Sequence, residues 1–460
     1  MAQPIEQYRA VYAAVDELAS PDPRIRDSAA AMLAAAGPIV VEPLVYGVLH
    51  EQDTPADVAL CASVLRQIGP PAFGDLLELI ACDWSPEITG RGCLALGIAP
   101  SDEVIRYAQE LVSEDANERG ELAWLIGYRR RLEYVSLLIV LLSDPAEPVR
   151  AKAVAALGRL GPSVVPLLRR VRRATEPTAR RGALAAMAEI GWDTLDSAEQ
   201  TLLRRLIRLT LAREVPTPFT VQGEWYAVRT TDQAAVLAAF GLAHPVPATL
   251  AMGRDGRVWD GAGYPGDRGY EDHADCARMY VSPVLDGWTL VFGIPVVEQE
   301  LAAHDRKVAA LLVDSADEDE ATTPAEDAGS AEHAARQAFC AELSRQFGAA
   351  QWYAHVEDGG CSDWWGWCIA EDGAVARYCY SDHNMPAGSF DAGPVHRGER
   401  GPALPGRADV ATPFRIADQV SVSPTGLGPH TRVAGHGVLA LTACGQRFGH
   451  RGALPISSGC

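Results

Sequence analysis

Along the first 214 residues, apolar and polar positions follow a helical rhythm that glycine interrupts at regular intervals. Six glycines, Gly37, Gly69, Gly97, Gly127, Gly161 and Gly191, stand 32, 28, 30, 34 and 30 residues apart, a period that marks stacked supersecondary units. The residue before each is apolar (Ala36, Ile68, Leu96, Ile126, Leu160, Ile190), and four residues before stand Leu33, Leu65, Cys93, Ala123, Leu157 and Met187. This spacing predicts helices that each end in a glycine just past the C-terminus, where the left-handed backbone is cheapest without a Cβ. Proline at 38, 70 and 162 fits a restart of the helix. Small residues seven places before the glycine (Ala30, Ala62, Gly90, Gly120) suit close approach of a neighbouring helix. A second amphipathic segment follows each glycine, at 40–49, 73–81, 104–112, 134–142, 164–171 and 202–211. One such hairpin cannot bury its apolar seam alone, so the expected architecture is a right-handed α-solenoid over residues 1–214.

Two stretches carry a resemblance. Residues 143–174 (SDPAEPVRAKAVAALGRLGPSVVPLLRRVRRA) and 20–51 (SPDPRIRDSAAAMLAAAGPIVVEPLVYGVLHE) resemble HEAT repeats of the short type also found in phycobilisome-lyase-like proteins. Arg26, Arg150 and Arg180 stand eleven residues before their glycine, where that family usually has arginine, while Val58, Pro86 and Ala116 replace it in the middle repeats. The resemblance spans about residues 20–213 and implies a curved surface for partners. The same architecture serves chromophore lyases, adaptors and DNA-repair enzymes, so it does not carry a function with it.

After Glu214 the helical period fades at Val215-Pro216-Thr217-Pro218 and β-prone runs take over. Asp255-Gly256, Asp286-Gly287 and Asp372-Gly373 signal tight hairpins. Residues 252–258 (MGRDGRV) align with 369–375 (IAEDGAV), each downstream of a helix ending in Phe-Gly-x-Ala, at Phe240 and Phe347. The strands 225–229 and 288–292 precede those helices. A duplicated strand, helix, hairpin unit is expected, forming an α+β domain over 215–385. A Gly- and Pro-rich tail, 386–460, is expected to dock on the body through its apolar patch 438–443.

Charge changes the picture of the solenoid. Residues 1–128 hold 7 basic and 20 acidic side chains, whereas 129–213 hold 16 basic and 8 acidic. Arg169, Arg170, Arg172, Arg173, Arg204, Arg205 and Arg208 fall on second helices, which in the resembled family usually line the concave side. They are the candidate partner site, since guanidinium forks bind carboxylates and phosphates bidentately. A plain solvated face, paired with acids such as Glu176 and Glu199, is the competing account. The acidic run 314–327 (DSADEDEATTPAED), within an insertion at about 314–331, reads as a flexible linker. Its docking against the arginines within the same chain is the alternative. The overall excess of 60 acidic over 40 basic residues disfavours nucleic acid and anionic membranes.

Candidate chemistry is sparse. In the run Trp364, Trp365, Trp367, alternation puts the last two on one strand face and Trp364 on the other, leaving Trp364 as an exposed contact candidate. His273, Cys276, Cys361, Cys368, Cys379 and His383 lack the paired C-x2-C spacing of a zinc site, so Cys361, Cys368, Cys379 and His383 are only weak metal candidates and no cofactor is expected. No nucleophile elbow, P-loop, zincin or dinucleotide motif is present. Met1–Glu6 lack a basic run, and the apolar run 134–142 is too short to span a bilayer. The expected address is therefore cytoplasmic, with the cysteines reduced. The reading favoured is a non-catalytic scaffold or adaptor that holds an acidic protein or peptide. A small-molecule enzyme or lyase-like chaperone is the alternative, and a nucleic-acid-binding HEAT protein the second alternative.

Overall fold

The computed structural model of the protein describes residues 2–51, 53–82, 85–173, 177–254, 277–293, 325–356, 364–382, 390–400, 412–450, 452–454 and 456. The chain forms two compact units, Met1–Gln200 with Arg451–Ser457, and Thr201–His450 with Ser458–Cys460.

The first unit opens with α1 (Ala2–Glu17). Helical pairs follow: α2 (Pro23–Ala36) with α3 (Val41–Leu44), α4 (Val58–Ile68) with α5 (Phe73–Ala81), and α6 (Pro86–Leu96) with α7 (Asp102–Leu111). Next come α8 (Ala116–Tyr128) with α9 (Val135–Leu141), α10 (Glu147–Leu160) with α11 (Val165–Arg172), and α12 (Pro177–Ile190) with α13 (Ser197–Leu211), the helix inside which the two units divide. Asp57, Ser85 and Ser101 cap α4, α6 and α7 by accepting from backbone N–H groups of the first turn. First helices pack on first helices, α2 on α4, α4 on α6, α8 on α10 and α10 on α12, while α5 packs on both α7 and α9. Leu33, Leu44, Leu65 and Leu76 belong to one continuous buried cluster, the shared interior that no single hairpin could make.

Four of the six marker glycines, Gly37, Gly69, Gly97 and Gly161, hold positive φ as expected. Gly127 does not: it lies inside α8, where a Cβ would sit 2.7 Å from both Cα and Cβ of Ala156 on α10. The left-handed residue of that repeat is Arg130, with φ of 51°. Gly191, with φ of 164°, is extended. The close approaches predicted at Gly90 fall instead at Gly92, against Ile80, and at Gly182, against Leu142. Pro23–Leu49 and Glu147–Arg172 are apolar and long enough by composition to cross a membrane. Each, however, turns at Gly37 or Gly161 and is one repeat hairpin, with Leu33 and Leu44, or Leu157 and Leu168, buried.

The second unit contains β1 (Gly223–Val228), α14 (Gln233–Ala239), β2 (Ala243–Pro247), β3 (Arg278–Leu285) and β4 (Trp288–Phe292). These are followed by α15 (Ala325–Phe347), β5 (Ala349–Val356), β6 (Trp364–Glu371), β7 (Ala374–Asp382), β8 (Phe390–Ala392) and α16 (Thr412–Val420). The unit ends in β9 (Val433–Ala434), β10 (Val438–Leu441) and α17 (Ala443–Phe448). One antiparallel sheet runs β2-β10-β3-β4-β1-β5-β6-β7-β8, with β9 beside β3. The apolar patch of the tail thus enters the sheet as β10, between β2 and β3.

Asp286-Gly287 joins β3 to β4 and Asp372-Gly373 joins β6 to β7, all four residues at positive φ as a type I′ turn requires. Both Phe-Gly helix ends are also found: Gly241 and Gly348 take positive φ and lead into β2 and β5. Of the expected hairpin at 252–258, only residues 252–254 are described. Residues 250–254 are helical, Met252 N–H donating to Thr249 Oγ1, and Asp255-Gly256 lies outside the described residues. In the alignment of MGRDGRV with IAEDGAV, the helical residues 252–254 fall against residues 369–371 of β6.

Strand alternation divides the sheet into two buried faces. Tyr226, Val291, Trp352, Cys368 and Tyr378 lie on one, together with Val236 and Phe240 of the α14 segment and Cys340 and Leu343 of α15. On the other, Trp225 stacks between Tyr353 and Phe414 of α16 at 5.1 Å from each.

Candidate partner-binding surface

The seven arginines proposed from sequence do not form one free groove. Arg170 on α11 donates to the carbonyls of Arg66 and Gln67 at 3.1 and 2.8 Å, fastening the C-terminal end of α4. Arg172 pairs with Glu199 at 3.1 Å, and Arg169 donates to the Thr194 carbonyl at 3.2 Å. α11 packs on α12, and three of its guanidinium groups satisfy carbonyls or a carboxylate of the same unit. A positive second-helix face was legible in the sequence; how much of it the coil spends on itself was not.

The arginines that remain most outward are Arg173, just past α11, and Arg204, Arg205 and Arg208 on α13, all exposed. Arg180 and Arg181 on α12 are exposed as well. Of this pair the sequence reading used Arg180 as a repeat marker and passed over Arg181.

The repeat arginines have a structural task. Arg26 donates to the Ser20 carbonyl at 2.8 Å and Arg150 to that of Asp144 at 2.7 Å, each reaching six residues back to brace the loop before its own helix. Arg119 does the same for Ser113 at 2.6 Å, and clamps Asp144 of the next repeat through Nε at 2.6 Å and Nη2 at 3.0 Å. It escapes the glycine-based count because it stands eleven residues before Arg130, the actual left-handed residue.

In the second unit Trp365 and Trp367 share a face, stacked at 5.2 Å, and Trp364 lies on the other. Trp364 is not the exposed aromatic expected; it is half-buried, tilted against Tyr380 at 5.7 Å beside the core under α15. Cys368 pairs with Tyr378 and Cys379 with Trp367 in the β6–β7 register, which puts the two thiols on opposite faces where they cannot share a metal ion. Cys361 and His383, like His273, Cys276 and the acidic residues 314–324, lie outside the described residues. Among the described residues no group of three or more His, Cys, Asp or Glu could hold a metal ion. Burial pushes the Cys379 thiol up to about 11, with Arg377 partly opposing, and the Cys61 thiol up to about 12.

A buried polar network missed from sequence anchors α15 to the sheet. Arg336, 2 % exposed, faces Glu224 at 3.5 Å and Glu332 at 2.7 Å and lies over the Trp352 ring at 4.3 Å. Trp352 Nε1 donates to Glu224 at 2.8 Å, and His333 Nδ1 meets the Tyr378 hydroxyl at 2.7 Å. Burial lowers the His333 pKa, as does the charge of Arg336, with Glu332 opposing. The signal was the i, i+4 spacing of Glu332 and Arg336 and the i, i+3 spacing of His333 and Arg336 on one helix; nothing in the sequence paired them with Glu224.

No curated relative matches the chain. The family of HEAT repeats matches residues 106–188 and 135–208, that is, from α7 into α13. HEAT repeats are a protein-interaction scaffold kind of fold, and residues 106–208 of this chain are similar to it.

Proposed function

We propose that the protein is a non-catalytic scaffold or adaptor that holds an acidic protein or peptide on the positive end of its HEAT solenoid. One observation carries this reading: Arg204, Arg205 and Arg208 are exposed on α13, and Arg173, Arg180 and Arg181 are each exposed in the first unit, in the basic stretch that follows the acidic first four repeats along the chain. Guanidinium groups in that setting favour carboxylates, and the acidic repeats work against a polyanion as long as nucleic acid. The sheet unit serves in this reading as a second binding module. Two of its described groups are poor candidates for catalysis, since Tyr378 is fully buried and the Cys379 thiol is raised, the opposite of what a nucleophile needs.

The test is a salt titration with a fluorescein-labelled oligoglutamate peptide. Wild-type protein should bind it with an affinity that falls as salt rises, and the variant Arg173→Glu/Arg205→Glu/Arg208→Glu should lose most of that binding while its circular dichroism stays unchanged. Equal binding by the two proteins overturns the reading. Arg170 and Arg172 are left intact in this design because their reversal would strike the fold itself.

A further inference from the structure

The last helix of the solenoid has two apolar stripes where one would suffice. Leu203 and Ile207 of α13 are buried, 1 % and 3 % exposed. Leu202, Leu206 and Leu209 point elsewhere and are 42 %, 38 % and 51 % exposed. Their i, i+4, i+7 spacing makes a straight stripe about 10 Å long, two turns of helix. Terminal helices of a solenoid normally turn a polar face to water, so this stripe lacks the expected cover.

Charge says what kind of cover it suits. The exposed positions from 201 to 209 are Thr201, Leu202, Arg204, Arg205, Leu206, Arg208 and Leu209, with three arginines and no acid among them. On a helical wheel Arg205 lies next to the leucine stripe, followed by Arg208 and then Arg204, while Glu199 is turned inward to Arg172. An apolar stripe with a cationic flank is the complement of an amphipathic helix whose apolar ridge is edged by carboxylates.

We infer that the exposed face of α13 is a docking site for an acidic amphipathic helix of a partner protein, seated on Leu202, Leu206 and Leu209 and edged by Arg205 and Arg208. This deepens the scaffold reading and rests on it: the arginines supply attraction and register, the leucines supply the dry contact.

The probe is a fluorescein-labelled synthetic helix of roughly 18 residues, about five turns, with leucine at every third or fourth position and glutamate between. Fluorescence anisotropy is read with the full chain. Binding should weaken at least about tenfold in Leu202→Gln/Leu206→Gln/Leu209→Gln, and comparably when glutamine replaces the glutamates of the peptide. All three leucines are exposed, so circular dichroism should be unchanged. Retention of wild-type affinity by the triple leucine variant, alongside loss in Arg205→Glu/Arg208→Glu, overturns the docking site and leaves the arginine reading standing. Unchanged binding in the arginine variant overturns both. Sedimentation equilibrium covers the remaining occupant: self-association abolished by Leu206→Gln, with no peptide binding, assigns the stripe to a second copy and overturns the inference.

Discussion

The two units engage their structural arginines in different ways. In the solenoid, Arg26, Arg119 and Arg150 each reach six residues back to a loop carbonyl, and the buried pair of Arg119 with Asp144 goes no further than the next repeat. In the sheet unit, Arg336 of α15 meets Glu224, 112 residues away in sequence, over the Trp352 ring and with the Tyr378 hydroxyl at 3.4 Å. Local braces tolerate drift from repeat to repeat, as the shift from a glycine to Arg130 demonstrates. A buried ion pair between distant segments tolerates little, because removing a carboxylate from a dry interior leaves the guanidinium less compensated.

That contrast can be broken most forcefully at Glu224. Replacing it by alanine leaves Arg336 without its carboxylate on the sheet and removes the acceptor of the Trp352 indole, and should cost about 3 to 5 kcal/mol. In urea unfolding followed by hydrogen exchange, protection should fall in β1, β5 and α15 while the solenoid helices keep theirs. Loss of protection in both units alike would erase the distinction drawn between them.

The next effect belongs to the solenoid. Gly127→Ala would push a methyl group onto the backbone of Ala156, and overpacking of this kind costs about 1 to 3 kcal/mol even though alanine is the better helix former. Hydrogen exchange should loosen α8 and α10 and leave α2 and α4 unmoved, the signature of nearest-neighbour stability. The smallest effect is one of pH. The folded pKa of His333 lies below its ordinary value near 6.5, so the unfolded chain takes up a proton first as pH falls. Stability is present above about 6.5 and is lost as pH drops from there toward the folded value. His333→Gln should flatten this part of the urea midpoint against pH, read on the sheet unit.

Much of the solenoid was legible because its information is periodic: an apolar position every third or fourth residue and a break about every thirty. Failure came where a repeat departs from its own punctuation. Gly127 satisfied the count for a reason of packing, and the true end of α8 lies at an arginine that no turn rule would select. In the sheet unit, Asp286-Gly287 and Asp372-Gly373 gave their hairpins away because turn geometry is set by the two residues themselves. The pairing of β10 between β2 and β3 was not readable, since it joins segments nearly two hundred residues apart through backbone groups that carry no sequence signature. The arginine surface was half legible. Composition and helical phase located the positive charge, but the carbonyls that engage Arg169 and Arg170 belong to distant loops and helix ends.

Arg170 carries one more consequence. By gripping the end of α4 from α11, it ties the second turn of the coil to the fifth, and a spring fastened to itself has a fixed number of windings. Inserting or deleting a repeat between those two points would carry the guanidinium past its carbonyls. Arrays of this architecture elsewhere grow and shrink by whole modules, but this one is stitched at a set length, and any lineage that lengthens it between these points must first give up the stitch.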